Sequence, residues 1–268
     1  MNSASDRDDG LLGCGSLDVS VPGRRLVESL DFELRRGEII AILGRNGAGK
    51  TLTLTTLAGL RIPDAGIVQL LGMDIAHVKR QQAARYLALL PQVIDDIFPA
   101  TVMDTALIGR HPHIGALSWE SQEDYAAARA ALQTMGLDGL AERDILTLSG
   151  GERRRLAIAQ VLTQAPDVYL LDEPTNHLDP QHQLDTLEVF RRAADNGAGV
   201  IASVHDVNLA VRFADRCLLL FGDGRWQLGR TQDILDEDTL GELYATQMEA
   251  VTWRSQKLFV PASGHPAA

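Results

Sequence analysis

A chain of 268 residues with 45% hydrophobic and 23% charged side chains holds enough apolar material for one domain carrying an insertion, or for two small lobes. Its formal net charge of −11 excludes a general affinity for nucleic acid or anionic lipid, so any anionic ligand must be held by a local array of donors. The two cysteines, Cys14 and Cys217, make no disulfide framework or metal spacing and read as reduced thiols.

Residues 1–12 are polar and acidic, without the apolar run of a secretory signal, and read as a disordered lead. Residues 17–21 (LDVSV), 31–34 (DFEL) and 66–72 (GIVQLLG) read as short strands with turns, an antiparallel flank. Between them, residues 38–43 (EIIAIL) form a buried strand, then a glycine-rich turn and a helix over 49–58. Residues 93–147 are helical without strong strands and read as an inserted lobe, with a Gly- and Pro-marked loop at 109–118. Buried strands follow at 168–171 (VYLL), 199–204 (GVIASV) and 217–221 (CLLLF), with a helix over 180–196. From about Arg254 the tail looks loose. Strands alternating with helices predict an α/β core with a mainly parallel sheet. No stretch approaches the ~20 apolar residues that span a bilayer, so service to a membrane is expected to run through a partner chain.

Three motifs carry chemistry. Residues 44–51 (GRNGAGKT) follow a strand, open a helix and have the phosphate-loop spacing. Gly44, Arg45, Asn46, Gly47, Ala48 and Gly49 would curl so that backbone N–H groups face one anion. Lys50 would reach the β- and γ-phosphates of ATP, and the Thr51 hydroxyl would ligate Mg²⁺. Residues 168–174 (VYLLDEP) place two carboxylates at the end of a strand, where open α/β sheets bind ligands. Asp172 would support the metal, and Glu173 would orient the attacking water. Leu148, Ser149, Gly150, Gly151 and Glu152 (LSGGE) precede a helical run, with Ser149 as N-cap and exposed N–H groups at the helix start. One chain has no obvious use for two anion cradles on one nucleotide. Two copies do, with the cradle of one and the LSGGE of the other clamping a single ATP. The arginines 153–155 read as a partly solvated helix face with some attraction for phosphate.

With these motifs in this order, the chain resembles the ATP-binding cassette family from about Leu17 to Tyr244. The resemblance implies an α/β P-loop NTPase (RecA-like) core with an antiparallel β flank and an inserted helical subdomain. Its nucleotide-binding domain would cover 13–253, with the helical lobe at about 93–147 and a loose tail at 254–268. Gln92 matches the glutamine that touches Mg²⁺ and the attacking water, and Asp179, in NHLD, the acid of a loop that crosses to the other subunit. His205 matches the switch histidine at the γ-phosphate. The implied assembly is a homodimer on transmembrane permease subunits at the cytoplasmic face of the inner membrane. It would be served indirectly by a periplasmic substrate-binding protein, with no nucleic acid as ligand. TVMDTALIGRHPH followed by SWE resembles importers of ferric siderophores, haem and cobalamin, and LLPQVIDDIFPATV looks most like the cobalamin type. A repair or translation ATPase would instead show a coiled-coil insertion, tandem cassettes or a basic face, and a non-catalytic cassette would lack Glu173 or His205.

Three positions depart from the family pattern. Val21 stands where an aromatic ring usually stacks on adenine, which leaves Arg24 or Arg25 as substitutes and predicts weak base selectivity. Leu52 stands where a second hydroxyl backs the α-phosphate, and Arg45 where proline is common.

Overall fold

The computed structural model describes residues 10–93, 99–115, 118–254 and 256–262. Strands β1 (Gly10–Val21) and β2 (Arg24–Arg35) form an antiparallel pair turned at Pro22 and Gly23. Leu17, Val19, Val27, Leu30 and Leu34 are buried beneath it, while Glu28, Asp31 and Glu33 face water. β3 (Ile39–Leu43) is buried at every position, as a strand covered on both faces must be, and feeds the phosphate loop and α1 (Lys50–Leu57). β4 (Ala65–Leu70) and β5 (Met73–Asp74) complete a sheet of order β2-β1-β4-β5. The predicted antiparallel flank is this sheet.

α2 (Arg80–Tyr86) runs into β6 (Leu87–Leu90), a strand absent from the sequence reading. Its four apolar residues show no alternation and directly follow a helix, so pattern alone cannot tell them from that helix's end. α3 (Val102–Leu107) and α4 (Gln122–Thr134) form the helical lobe. α5 (Gly150–Gln164) extends the lobe past residue 147, because Leu156, Ala157 and Ile158 share a core with Val102, Ala106, Ala128 and Leu132.

Thr101 and Ser121 begin their helices with reciprocal capping boxes, the latter closed by Asp124. Asp124 also accepts from Arg110 Nε at 2.7 Å. The Arg110 guanidinium, with help from Ser121, holds the Asp124 carboxyl down at about 2. Asp124→Asn is therefore expected to cost about 1–3 kcal/mol of unfolding free energy, measurable by urea denaturation. The folded value lies below the unfolded ~3.9. The contribution is thus complete above roughly pH 4 and disappears as pH falls through about 2, where wild type and variant should converge.

β7 (Val168–Asp172), α6 (Pro180–Asp195), β8 (Gly199–Ser203), α7 (Val207–Phe213), β9 (Arg216–Leu220) and β10 (Trp226–Arg230) complete the second sheet. Its order is β10-β9-β3-β8-β7-β6, and β10 alone runs antiparallel to its neighbour. The predicted parallel α/β core is this sheet. The C-terminal ends of β3, β8, β7 and β6 lie side by side, so four loops distant in sequence open onto one edge.

α8 (Thr231–Ile234) and α9 (Glu237–Tyr244) lead to a hairpin of β11 (Met248–Trp253) and β12 (Gln256–Pro261). This corrects the expected loose tail: Phe259 is buried, its N–H donates to Asn208 Oδ1, and its carbonyl accepts from Asn208 Nδ2. The lead is corrected too, because β1 starts at Gly10, with Leu11 and Leu12 buried. The expectations for residues 1–9 and 263–268 lie outside the described residues, as do 94–98 of the LLPQVIDDIFPATV stretch and Ala116 and Leu117 of the loop. Both thiols are buried and free, and burial pushes Cys14 up to about 12 and Cys217 to about 11.

Candidate functional site

β3 ends in a loop that only glycine can build at its key points. Gly44 has φ +157, and a Cβ there would stand 2.5 Å from the Leu220 carbonyl oxygen. Gly47 and Gly49 have φ +76 and +105, and no side chain caps the start of α1. The first N–H groups of α1 are left for an anion. Lys50 is only 6% exposed and curls over the loop, donating to the carbonyls of Gly44 at 2.9 Å and Arg45 at 3.4 Å. Burial lowers its pKa, opposed by the nearby charges of Glu173 and Asp172.

A cavity of about 440 Å³ opens at this point. Asn46, Gly47, Gly49, Lys50, Thr51 and Leu52 line it from the loop side, Val21, Arg24 and Leu26 from the antiparallel sheet, and Gln92 and Glu173 from the neighbouring strand ends. Arg24 donates to the carbonyls of Gly222 at 2.9 Å and Gly47 at 2.8 Å, which pins the flank to the phosphate loop. Arg25 turns away to Glu28 and Asp18, so of the two arginines only Arg24 borders the cavity. Arg45 is exposed and is not among the lining residues.

Asp172 and Glu173 are both buried. Ser203, opposite Asp172 on β8, donates to Asp172 Oδ1 at 2.6 Å and accepts the Glu173 N–H at 2.9 Å. Asp172 Oδ2 is buried with no hydrogen-bond partner. A buried, unshared carboxylate oxygen is costly unless a cation meets it, so this residue fits a Mg²⁺ ion. Among the described residues no group of three or more His, Cys, Asp or Glu side chains could hold a metal by itself. An ion here would need oxygens from a bound nucleotide as well, with the Thr51 hydroxyl and Gln92 as the other protein donors.

Glu173 has φ +51, a strained geometry for a residue with a side chain. Three donors converge on its carboxylate. Gln92 Nε2 reaches Oε2 at 2.8 Å, Asn176 Nδ2 reaches the same oxygen, and His205 Nε2 lies 2.5 Å from Oε1. His205 comes from the end of β8 and Gln92 from just beyond β6, so the sheet order brings both to Glu173. The sequence reading missed Ser203 and the contact of Asn176. A hydroxyl at the end of a buried strand was the available signal for Ser203.

The LSGGE segment stands apart, and none of its residues lines the cavity. Leu148 is buried, Ser149 and Gly150 are exposed, and a Cβ on Gly150 would meet nothing within 4 Å. The Ser149 hydroxyl accepts from the Glu152 N–H at 3.3 Å and donates to Glu152 Oε2 at 2.7 Å, and hydrogen bonds from Ser149 lower the Glu152 pKa. Asp179 caps α6 ahead of Pro180, accepting from the His182 N–H at 3.0 Å with its side chain largely exposed. The arginines after the segment are not one solvated face: Arg154 is buried.

Comparison with known proteins places this geometry. The chain is 44% identical over 209 residues to a hemin import ATP-binding protein of Deinococcus radiodurans, covering 76% of this chain and 78% of that one. It is 38% identical over 226 residues to a cobalamin import ATP-binding protein of Halobacterium salinarum, covering 84% of this chain but little more than half, 56%, of that relative. A solved chain described as belonging to a metal-chelate type ABC transporter, in an inward-facing conformation, superposes with a TM-score of 0.82 at 28% identity, over 95% of this chain and 98% of that one. The ABC transporter profile matches residues 27–176, which hold the phosphate loop, Gln92, LSGGE and the paired acids, and the chain belongs to that family.

Proposed function

We propose that this chain is the ATP-hydrolysing subunit of an importer, and that it works as a homodimer energising uptake of a metal chelate or corrinoid: haem, cobalamin or a ferric siderophore. The observation that carries the reading is that Lys50 and Glu173 line one cavity, with Asp172 buried beside Glu173, while the exposed helix start at Ser149 contributes nothing to its lining. A second copy supplies the missing wall.

In this mechanism the phosphate loop N–H groups and Lys50 hold the β- and γ-phosphates. Lys50 exchanges its loop carbonyls for phosphate oxygens. Thr51, Asp172 and Gln92 would hold Mg²⁺ together with the nucleotide, and the ion would supply neutralisation of phosphate charge. Glu173 orients the attacking water, with His205 and Gln92 steering its carboxylate. The Ser149 helix start of the other copy spreads the developing negative charge, and Asp179 reaches across the same interface. Phosphate release loosens the pair, and the helical lobes carry that motion to the permease.

No described helix is long and apolar enough to cross a membrane, so attachment at the cytoplasmic face of the inner membrane runs through the permease, with a periplasmic binding protein acting one step away. The test is co-purification with a polytopic importer permease, followed by ATPase assay in vesicles with each chelate. One chelate should stimulate hydrolysis only when permease and binding protein are present. A chain that neither associates with the permease nor responds to any chelate sinks the import reading.

Val21 and Arg24 at the cavity mouth predict weak discrimination between ATP and GTP. Val21→Tyr should tighten ATP binding by roughly 5- to 100-fold, the gain from one stacking platform. Titration with a fluorescent ATP analogue measures it, and an unchanged affinity rejects the assignment.

A further inference from the structure

Three arginines follow the Ser149 turn on α5, and they do different things. Arg153 donates to the carbonyls of Leu146 and Leu148, and Arg155 to that of Met135, all within the helical lobe. Arg154 points the other way. It is 4% exposed, and its partners are backbone carbonyls. Nη2 donates to the carbonyls of Asp172 at 2.7 Å and Glu173 at 2.8 Å, and Nη1 to that of Pro91 at 2.7 Å. One guanidinium therefore joins the end of β7 to the end of β6, at the backbone that presents Glu173 and Gln92. Burial brings its pKa down to about 10, so it stays charged at neutral pH. Burying a cation is expensive even with the charges of Asp172 and Glu173 nearby to favour it, and an apolar side chain would fill the space without that cost. The Glu173 carbonyl it holds belongs to the residue at φ +51, a conformation that persists only where its surroundings enforce it.

We propose that Arg154 is a positioning residue that locks Gln92 and Glu173 to each other and to the start of α5, so that capture of a nucleotide by residues 149–151 is transmitted to the catalytic carboxylate of the same chain. The transmission rests on the two-copy reading above, in which that helix start grips the nucleotide of the other copy while Glu173 serves its own. Arg154 then links the two ATP molecules of the dimer. A planar fork suits the task because it spans two strand ends at once, whereas a lysine offers three donors from a single nitrogen.

The experiment uses the full chain with Arg154→Gln and Arg154→Lys, measuring ATP affinity, kcat, the Hill coefficient for ATP and thermal melting. The expected result is kcat reduced by about 10- to 100-fold in both variants, the loss typical of a misplaced catalytic group. ATP affinity stays within about threefold, and the Hill coefficient drops toward 1. Unchanged kcat, restoration of kcat by lysine, or parallel loss of affinity and kcat would each overturn the positioning role. If Arg154→Gln fails to fold, Arg154→Lys carries the test. An ATP-loaded Glu173→Gln protein that stays monomeric removes the two-copy reading and the transmission with it. The kcat loss in the Arg154 variants still decides the positioning role in that case.

Discussion

Glu173→Gln is expected to leave ATP binding intact and to slow hydrolysis by about 10²- to 10⁴-fold, the range for removing a positioned general base. The two side chains have the same shape, so the cavity keeps its volume. The charge and the proton acceptor disappear. The hydrogen bonding changes as well, because the carboxylate receives Gln92, Asn176 and His205 together. An amide offers one acceptor oxygen and turns its NH₂ toward at least one of those donors. Phosphate release, nucleotide retention and light scattering after size-exclusion with ATP read the three consequences. Slow hydrolysis, full retention and a dimer that persists in ATP are expected. Rapid turnover would remove Glu173 from the reaction.

The second large effect is at Lys50. Lys50→Ala should weaken ATP binding by about 10- to 150-fold, from the roughly 1.5–3 kcal/mol carried by a hydrogen bond to a charged group. Its Nζ also bridges the carbonyls of Gly44 and Arg45. The alanine variant therefore loses the loop's internal strut as well as the cation that meets the phosphates. Binding of a fluorescent ATP analogue, with melting temperature as control, separates the two. A variant that melts normally and binds ATP like wild type would contradict the assignment of residues 44–51.

The sequence made the phosphate loop legible because a glycine spacing maps directly onto backbone geometry. The paired acids were legible because Pro166 and Asp167 break the chain before Val168 and two carboxylates end the apolar run, which bounds a short buried strand on both sides. The strands β3, β7, β8 and β9 were readable for the same reason. β6 was not, because four residues fused to a preceding helix carry no period. Ser203 and Arg154 were hidden for a different reason. Their partners are 31 and 18 residues away, at Asp172, and only the order of strands in the sheet brings them together. An arginine in a run of three looks solvated until the fold shows which one turns inward. The tail misled because its polar residues hide one buried anchor, Phe259.

That anchor has a practical consequence for anyone shortening the polypeptide. α7 begins two residues beyond His205, and Asn208 on it exchanges a reciprocal pair of hydrogen bonds with Phe259 of β12. Trimming the chain at Trp253 to obtain a minimal catalytic fragment would strip away this brace and uncover the hydrophobic pocket into which Phe259 plugs. A deletion chosen for its distance from the phosphate loop would thus loosen the helix directly behind His205, and fusion partners are better joined beyond Pro261.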